Sequence, residues 1–307
     1  MKDPLDISHD ISCALNRGQA VVALESCVIA HGLPTPINVQ TAMDMEQQIR
    51  EAGAIPATIG VIGGKIRVGL TPDEIHTLGQ GTSAKLAARD LPDACAREID
   101  GGTTVSATAR IAAVAGIGVM ATGGIGGVHR ASPTRDVSAD LWEATRTPVA
   151  IVCSGPKAVL DVPATAQWLE SHSVPVYGFQ TNEMPAFYSA TSGINVPSCD
   201  TIEELADIIR VGFGAMGMRS AVLVAVPVPG SDALDISKEI EEAGRQADAE
   251  RIAGKQLTPW LLNKIAELTN GRSISSNVAL LKNNARIAAE LANALLNDDR
   301  RRLGFYT

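Results

Sequence analysis

The chain has 307 residues, of which 45% are hydrophobic and 20% charged, enough to bury one large core. Its formal charge of −8 and pI near 5.2 leave no basic surplus to neutralise a nucleic-acid backbone, so no polymeric nucleic acid is expected as a partner; small anions held by a few converging basic groups stay open. Met1 to Asp6 lacks the apolar core of a signal peptide, no later segment stays apolar long enough to span a bilayer, and the five scattered cysteines form no Cys-x-x-Cys pair. The expectation is therefore a cytoplasmic protein with no membrane partner, no zinc cluster and buried free thiols.

In chain order, apolar runs of strand length alternate with segments of helical periodicity. Strands are predicted at Ala20–Leu24, Ala57–Ile62, Gly118–Ala121, Val149–Val152, Val174–Tyr177 and Ala221–Val226. Helices are predicted at Asn38–Ala52, Thr103–Ala115, Val137–Thr145, Pro163–Ser171 and Thr201–Phe213, the last with Asp200 as N-cap and Glu203 at the third helical position. From about Asp235 onward only helices are predicted, at Ile236–Ile252, Pro259–Thr269 and Ser276–Leu296. The pattern implies a layered α/β/α fold with a central mixed sheet and a helical C-terminal segment. With no repeat, low-complexity stretch or long linker, residues 1–307 are expected to form one domain.

Several strand ends carry chemistry. Open α/β sheets bind ligands beyond the carboxyl ends of their strands, so Glu25, closing an apolar strand ahead of His31-Gly32-Leu33-Pro34, stands where a general acid or base belongs; a loop-capping glutamate is the alternative. Gly101-Gly102-Thr103-Thr104 leads into a hydroxyl-rich helix start that offers N–H groups to an anion, or is an ordinary cap. Gly123-Gly124-Ile125-Gly126-Gly127-Val128-His129-Arg130 permits close approach of backbone to ligand, but its spacing is not that of a dinucleotide loop. Asp136 and Asp140 share a helix face if the helix begins by Asp136, which is otherwise the N-cap; one such carboxylate beside a phosphorylated substrate suffices for a hard divalent ion.

Lys157 follows a strand and a Gly-Pro turn. The N-terminus of a helix opening there, with partial desolvation, would depress its pKa and free the amine for attack on an aldehyde-level carbon, whereas Asp161 four residues on would stabilise the ammonium. A solvated lysine is the alternative reading. Lys85 offers a cation for a phosphate, Gln180 through Phe187 follows another strand at the pocket, and Asn277 lies at a predicted helix start, with an amide suited to a nucleobase edge.

Taken together and in order, Ala23-Leu24-Glu25-Ser26, His31-Gly32-Leu33-Pro34, Gly102-Thr103-Thr104-Val105, Ala121 through His129, Asp136 through Asp140, Ser154 through Lys157 and Pro185-Ala186-Phe187 resemble the pseudouridine-5′-phosphate glycosidase family over nearly the whole chain. The resemblance implies reversible cleavage of pseudouridine 5′-phosphate to uracil and ribose 5-phosphate, in a homotrimer with one divalent cation, usually Mn²⁺, per subunit. It implies ring opening of the ribose, addition of Lys157 at C1′, proton donation by Glu25 to uracil C5, and departure of uracil as an imine forms. It further implies Asp136 as metal ligand, and Lys85, Val105, Ser138, Ala139 and Asp140 as substrate contacts. His129 is assigned on the phosphate side and Asn277 on the uracil side. Two departures from the family pattern are Pro156, beside the lysine, and Ala131-Ser132. The competing readings are an imine-forming lyase or glycosidase on another sugar phosphate and a catalytically silent sensor; the joint presence of Glu25, Asp136 and Lys157 argues against the sensor.

Overall fold

The computed structural model describes residues 4–130, 136–252 and 257–296. Among them eleven strands form one sheet, and β8 (Val128–His129) and β10 (Leu160–Asp161) form a separate antiparallel pair. The sheet strands are β1 (Leu5–Ile7), β2 (Val21–Glu25), β3 (Ile55–Ile62), β4 (Lys65–Val68), β5 (Ala84–Leu86), β6 (Gly101–Thr103), β7 (Val119–Ala121), β9 (Ala150–Cys153), β11 (Val176–Phe179), β12 (Ser198–Cys199) and β13 (Val222–Ala225). Their order is β1-β4-β3-β2-β7-β9-β13-β11-β12, with β6 beside β3 and β5 beside β6. The run from β3 to β12 is parallel throughout, whereas β4 and β6 each pair antiparallel to β3, so the sheet is mixed as expected.

Burial on both faces explains why the central strands read as unbroken apolar runs. Successive residues of β2 point to opposite faces: Val22 and Leu24 join one core with Val152, Val224 and the C-terminal helices, while Val21 and Ala23 join the other with Ile59, Met120 and Ile151.

The helices are α1 (His9–Asn16), α2 (Ile37–Glu51), α3 (Pro72–Leu78), α4 (Leu91–Ala96), α5 (Val105–Ala115), α6 (Ala139–Ala144), α7 (Val162–Ser171), α8 (Ile202–Arg210), α9 (Ser237–Ala249), α10 (Leu257–Leu268) and α11 (Arg272–Leu296). Helices α1, α5, α6 and α7 supply the core on one face, and α2, α8, α9, α10 and α11 the core on the other. The C-terminal helices therefore complete one of the two helical layers. Helix α11 lies against α2 and over β2, β7 and β9. Among the described residues no helix is long and apolar enough to cross a membrane.

Every predicted helix start shifts by one to four residues, and three of the shifts change what a residue does. Helix α8 is capped by Thr201, whose hydroxyl accepts from Glu204 N at 3.2 Å, while Glu204 accepts from Asp200 N at 3.1 Å; the capping unit is one residue later than Asp200 and Glu203 because two hydroxyl-or-carboxylate residues stand in succession. Helix α6 starts at Ala139 with Ser138 as N-cap, which leaves Asp136 outside the helix. Helix α11 starts at Arg272, so Asn277 sits in its second turn and presents a side chain to the site where a helix end was expected.

All five cysteines are unpaired, but only Cys27, Cys153 and Cys199 are buried; Cys13 and Cys95 are half-buried.

Candidate active site

Because β2, β7 and β9 are parallel neighbours, their carboxyl ends release three segments side by side. The first carries Glu25 and a π-helical turn, Val28–Gly32; the second is the glycine loop from Thr122 to Gly127; the third is the turn bearing Lys157. They line a chamber of two adjoining lobes, open to solvent. Glu25, Cys27, Lys85, Lys157 and Thr258 line both lobes and so mark their seam. The smaller lobe is walled by Val28, Phe187, Pro259, Leu262 and Leu281, with His31 and Asn277 among them. The larger is the more polar of the two, with His129, Arg89, Asp136, Ser138, Ala139 and Asp140 on its wall.

Of the residues singled out from the sequence, nine line this chamber: Glu25, Lys85, His129, Asp136, Ser138, Ala139, Asp140, Lys157 and Asn277. Val105 does not; it is 1% exposed at the first turn of α5, and its neighbour Thr104 takes the wall position. Ala131 and Ser132 lie outside the described residues.

The glycine loop and the lysine turn are locked together. Ile125 N donates to Gly155 O at 3.1 Å and Lys157 N donates to Ile125 O at 3.0 Å, forming a parallel bridge between Ile125 and Pro156. In such a bridge the central residue's own N–H is not used, so Pro156, which has none, fits without loss. Beyond it, Leu160 N donates to Lys157 O at 3.0 Å and the β8–β10 pair clasps His129 opposite Leu160. Gly155 is needed for the turn: its φ is +76°, and a Cβ there would lie 2.0 Å from the Pro185 carbonyl oxygen.

Lys157 lies in a turn and opens no helix, so the expected helix-dipole effect is absent. Asp161 is also turned to other work, capping α7 by accepting from Ala164 N at 2.9 Å. What acts on Lys157 instead is burial, which lowers its pKa, and the charges of Glu25, Cys27 and Asp140, which outweigh burial and hold it above the ordinary lysine value. Glu25 is 4% exposed. Burial pushes its carboxyl up, and the Lys157 charge and a hydrogen bond from the Thr122 hydroxyl pull part of the way back. The same burial, aided by Glu25, pushes the Cys27 thiol up to about 11. His129 is held below the ordinary histidine value by burial, which Asp136 opposes.

Asp140 is buried. Its Oδ1 accepts from Ser106 N and its Oδ2 from Gly126 N, both at 2.9 Å. The start of α5, read above as a place for an anion, is thus occupied by a carboxylate of the protein itself. Gly101–Thr103 is a strand, and Thr103 N donates to Ser26 Oγ at 3.0 Å.

Among the described residues no group of three or more His, Cys, Asp or Glu side chains is arranged as an all-protein metal cage. The exposed Asp136, on the polar lobe, offers a single hard oxygen donor, which fits a divalent ion that keeps most of its waters.

Sequence reasoning overlooked Thr122 and Asn284. Asn284, fully buried in α11, donates from Nδ2 to Thr122 O at 2.9 Å and to Ser154 Oγ at 3.1 Å, tying the ends of β7 and β9 to the helix above them. A polar residue on the apolar stripe of α11 was the available signal.

A family model described as indigoidine synthase A like protein matches residues 10–294. The pseudouridine-5′-phosphate glycosidase of Alkaliphilus metalliredigens is 48% identical over 297 residues, covering 95% of this chain and 96% of the relative. That of Geobacillus kaustophilus is 46% identical over 301 residues, covering 96% and 100%. Among solved structures, the prealnumycin C-glycosynthase AlnA in complex with ribulose 5-phosphate is similar with a TM-score of 0.87 and 37% identity, over 95% of this chain and 97% of the other. An indigoidine synthase A like protein from Thermotoga maritima is similar with a TM-score of 0.86 and 35% identity, over the same shares.

Proposed function

The chain belongs to the indigoidine synthase A like family, among the pseudouridine-5′-phosphate glycosidases, and we propose that this enzyme reversibly cleaves pseudouridine 5′-phosphate to uracil and ribose 5-phosphate. The observation that carries the reading is the pairing of an amine and a carboxyl, Lys157 and Glu25, at the seam between an apolar and a polar lobe. The apolar lobe suits a planar base and the polar lobe a sugar phosphate. Crystallisation of AlnA with ribulose 5-phosphate supports a sugar phosphate as ligand of this fold.

The chemical difficulty is that the sugar is joined to carbon C5 of uracil, which is a prohibitive leaving group as a free carbanion. In the proposed route the C1′–O4′ bond breaks, Lys157 Nζ bonds to C1′, and the proton that the nitrogen sheds on bonding goes to O4′. For this the amine must be neutral. In a desolvated site, transfer of its proton to Glu25 exchanges two charges for two neutral groups, leaving Lys157 as nucleophile and Glu25 as acid. Glu25 then gives its proton to C5. The electrons of the C1′–C5 bond restore the C5–C6 double bond of uracil, the nitrogen lone pair of Lys157 forms the C=N bond to C1′, and water releases ribose 5-phosphate.

Lys85 and His129 would bind the phosphate and sugar oxygens, Asn277 the base, and the loop around Val105 and the Ser138-Ala139-Asp140 segment would shape the wall between. Asp136 would hold Mn²⁺ or another divalent ion, which would supply positive charge to offset that of the phosphate. The homotrimer and a role in pseudouridine catabolism are proposed on the likeness to the glycosidases alone. Incubation of the protein with pseudouridine 5′-phosphate and Mn²⁺ should release uracil, and Lys157→Ala should abolish the release; no uracil from the native protein would reject the reading.

A further inference from the structure

Buried side-chain polar atoms are normally paired, and an unpaired one at a cavity wall marks a place where a ligand supplies the partner. Among the described residues few such atoms lack a partner, and two of them, His31 Nε2 and Asn277 Oδ1, belong to residues of the apolar lobe. They come from opposite ends of the chain. His31 lies in the π-helical turn that follows β2, a distortion common at functional sites. Asn277 comes from α11, with Oδ1 3.4 Å from where a Cβ on Gly123 would stand, directly over the glycine loop.

Both atoms can act as acceptors. Burial lowers the His31 pKa against the pull of the Ala84 and Ser83 backbone, which favours the neutral ring, and in the tautomer protonated at Nδ1 the unpartnered Nε2 carries a lone pair. An amide sets an acceptor beside a donor and so matches an N–H flanked by a carbonyl on each side, which in uracil is N3–H. A lone acceptor matches the remaining ring N–H, at N1, flanked on one side by C6–H. From this pairing we infer that His31 is a specificity-determining residue whose Nε2 accepts the uracil N1–H, while Asn277 takes N3–H. The inference rests on the function proposed above.

The consequence is chemical as well as steric. A carbon-linked nucleotide keeps both ring N–H groups, whereas a nitrogen-linked one has lost N1–H and would leave Nε2 unpaired. Protonation at C5 also places positive charge on the C6–N1 unit, so the N1–H···Nε2 hydrogen bond strengthens as the C1′–C5 bond breaks.

The test compares pseudouridine 5′-phosphate with its N1-methyl analogue as substrates of the native protein and of His31→Ala and His31→Leu, measuring kcat/KM for uracil or 1-methyluracil release. The native protein should prefer the unmethylated substrate by roughly 100-fold or more, and His31→Ala should reduce that preference to below about tenfold, as expected when a site built for an N–H loses its acceptor. Borohydride trapping of ribose 5-phosphate on Lys157, which does not involve the base, should stay at the native level in both variants and so reports on their folding. A native preference under threefold, or a preference unchanged in whichever His31 variant still traps ribose 5-phosphate, overturns the inference while leaving the proposed reaction standing. A native protein that releases no uracil overturns both.

Discussion

The hydroxyl of Thr122, just beyond β7, donates to the carboxylate of Glu25 at the end of β2, so the acid and the glycine loop are joined across two neighbouring strands. The bond stabilises the charged form of Glu25 against a burial that raises its pKa. Removing it with Thr122→Val raises that pKa further. Because Glu25 must be ionised in the free enzyme to take the proton of Lys157, the acid limb of the kcat/KM profile should move to higher pH by about one unit, in line with a charge-assisted bond of roughly 1.5 kcal/mol, and activity at pH values on that limb should fall about tenfold. Thr122→Ser should restore the native profile. An acid limb that stays in place in Thr122→Val would sever Thr122 from the chemistry.

Glu25→Gln separates the two functions of the pair. Burial lowers the Lys157 pKa and Glu25 is the foremost charge raising it, so the amide variant should let that pKa fall. The sign is testable, since a lower pKa means more neutral amine at a given pH. Borohydride trapping of ribose 5-phosphate should therefore begin at lower pH in Glu25→Gln than in the native protein, while uracil release drops by about 10²- to 10⁴-fold for want of a proton donor. Identical trapping profiles would mean that Glu25 does not govern the amine.

Much of this arrangement is legible in the sequence where the cause is local. The central strands announce themselves as apolar runs because they are buried on both faces, and the mixed, doubly covered sheet follows from their alternation with helices. Glu25 is legible because it closes such a run. What is not legible depends on distant partners. Lys157 was expected at a helix start and Asp161 as its opposing charge, but the turn is fixed by Ile125, thirty-two residues earlier, and the opposing charge comes from Glu25. The start of α5 has the residues of an anion site, yet Asp140 fills it from thirty-four residues away. Pro156 looks disruptive until its bridge partner shows that no N–H is required there.

Asn284 is the most remote of these partners, 162 residues from Thr122 and 130 from Ser154. Asn284→Ala leaves a buried carbonyl and a buried hydroxyl without their donor and opens a small cavity, a combined cost of about 2–4 kcal/mol. Urea unfolding should show this as a lower midpoint. Since Thr122 also holds Glu25, kcat should fall more than KM rises. A variant with native stability would mean that water replaces the amide without loss.

Asp136 and Asp140 stand four residues apart on one lobe, yet substitution should affect them in opposite ways. Asp140 is buried and spends both oxygens on backbone N–H groups, so the amide NH2 of Asp140→Asn would face a donor with a donor, at Ser106 or Gly126. That conflict costs roughly 2–3 kcal/mol and loosens the start of α5 from the glycine loop, so activity should be low at every Mn²⁺ concentration. Asp136 is exposed and outside any helix, so Asp136→Asn should cost less stability than Asp140→Asn. If Asp136 holds the cation, that variant should need at least about tenfold more Mn²⁺ for half-maximal uracil release and should recover activity as Mn²⁺ is raised, since the loss is one of affinity. Titrating both variants and the native protein with Mn²⁺, after treatment with a chelator, distinguishes the roles. An unchanged Mn²⁺ requirement in Asp136→Asn would remove Asp136 as the ligand.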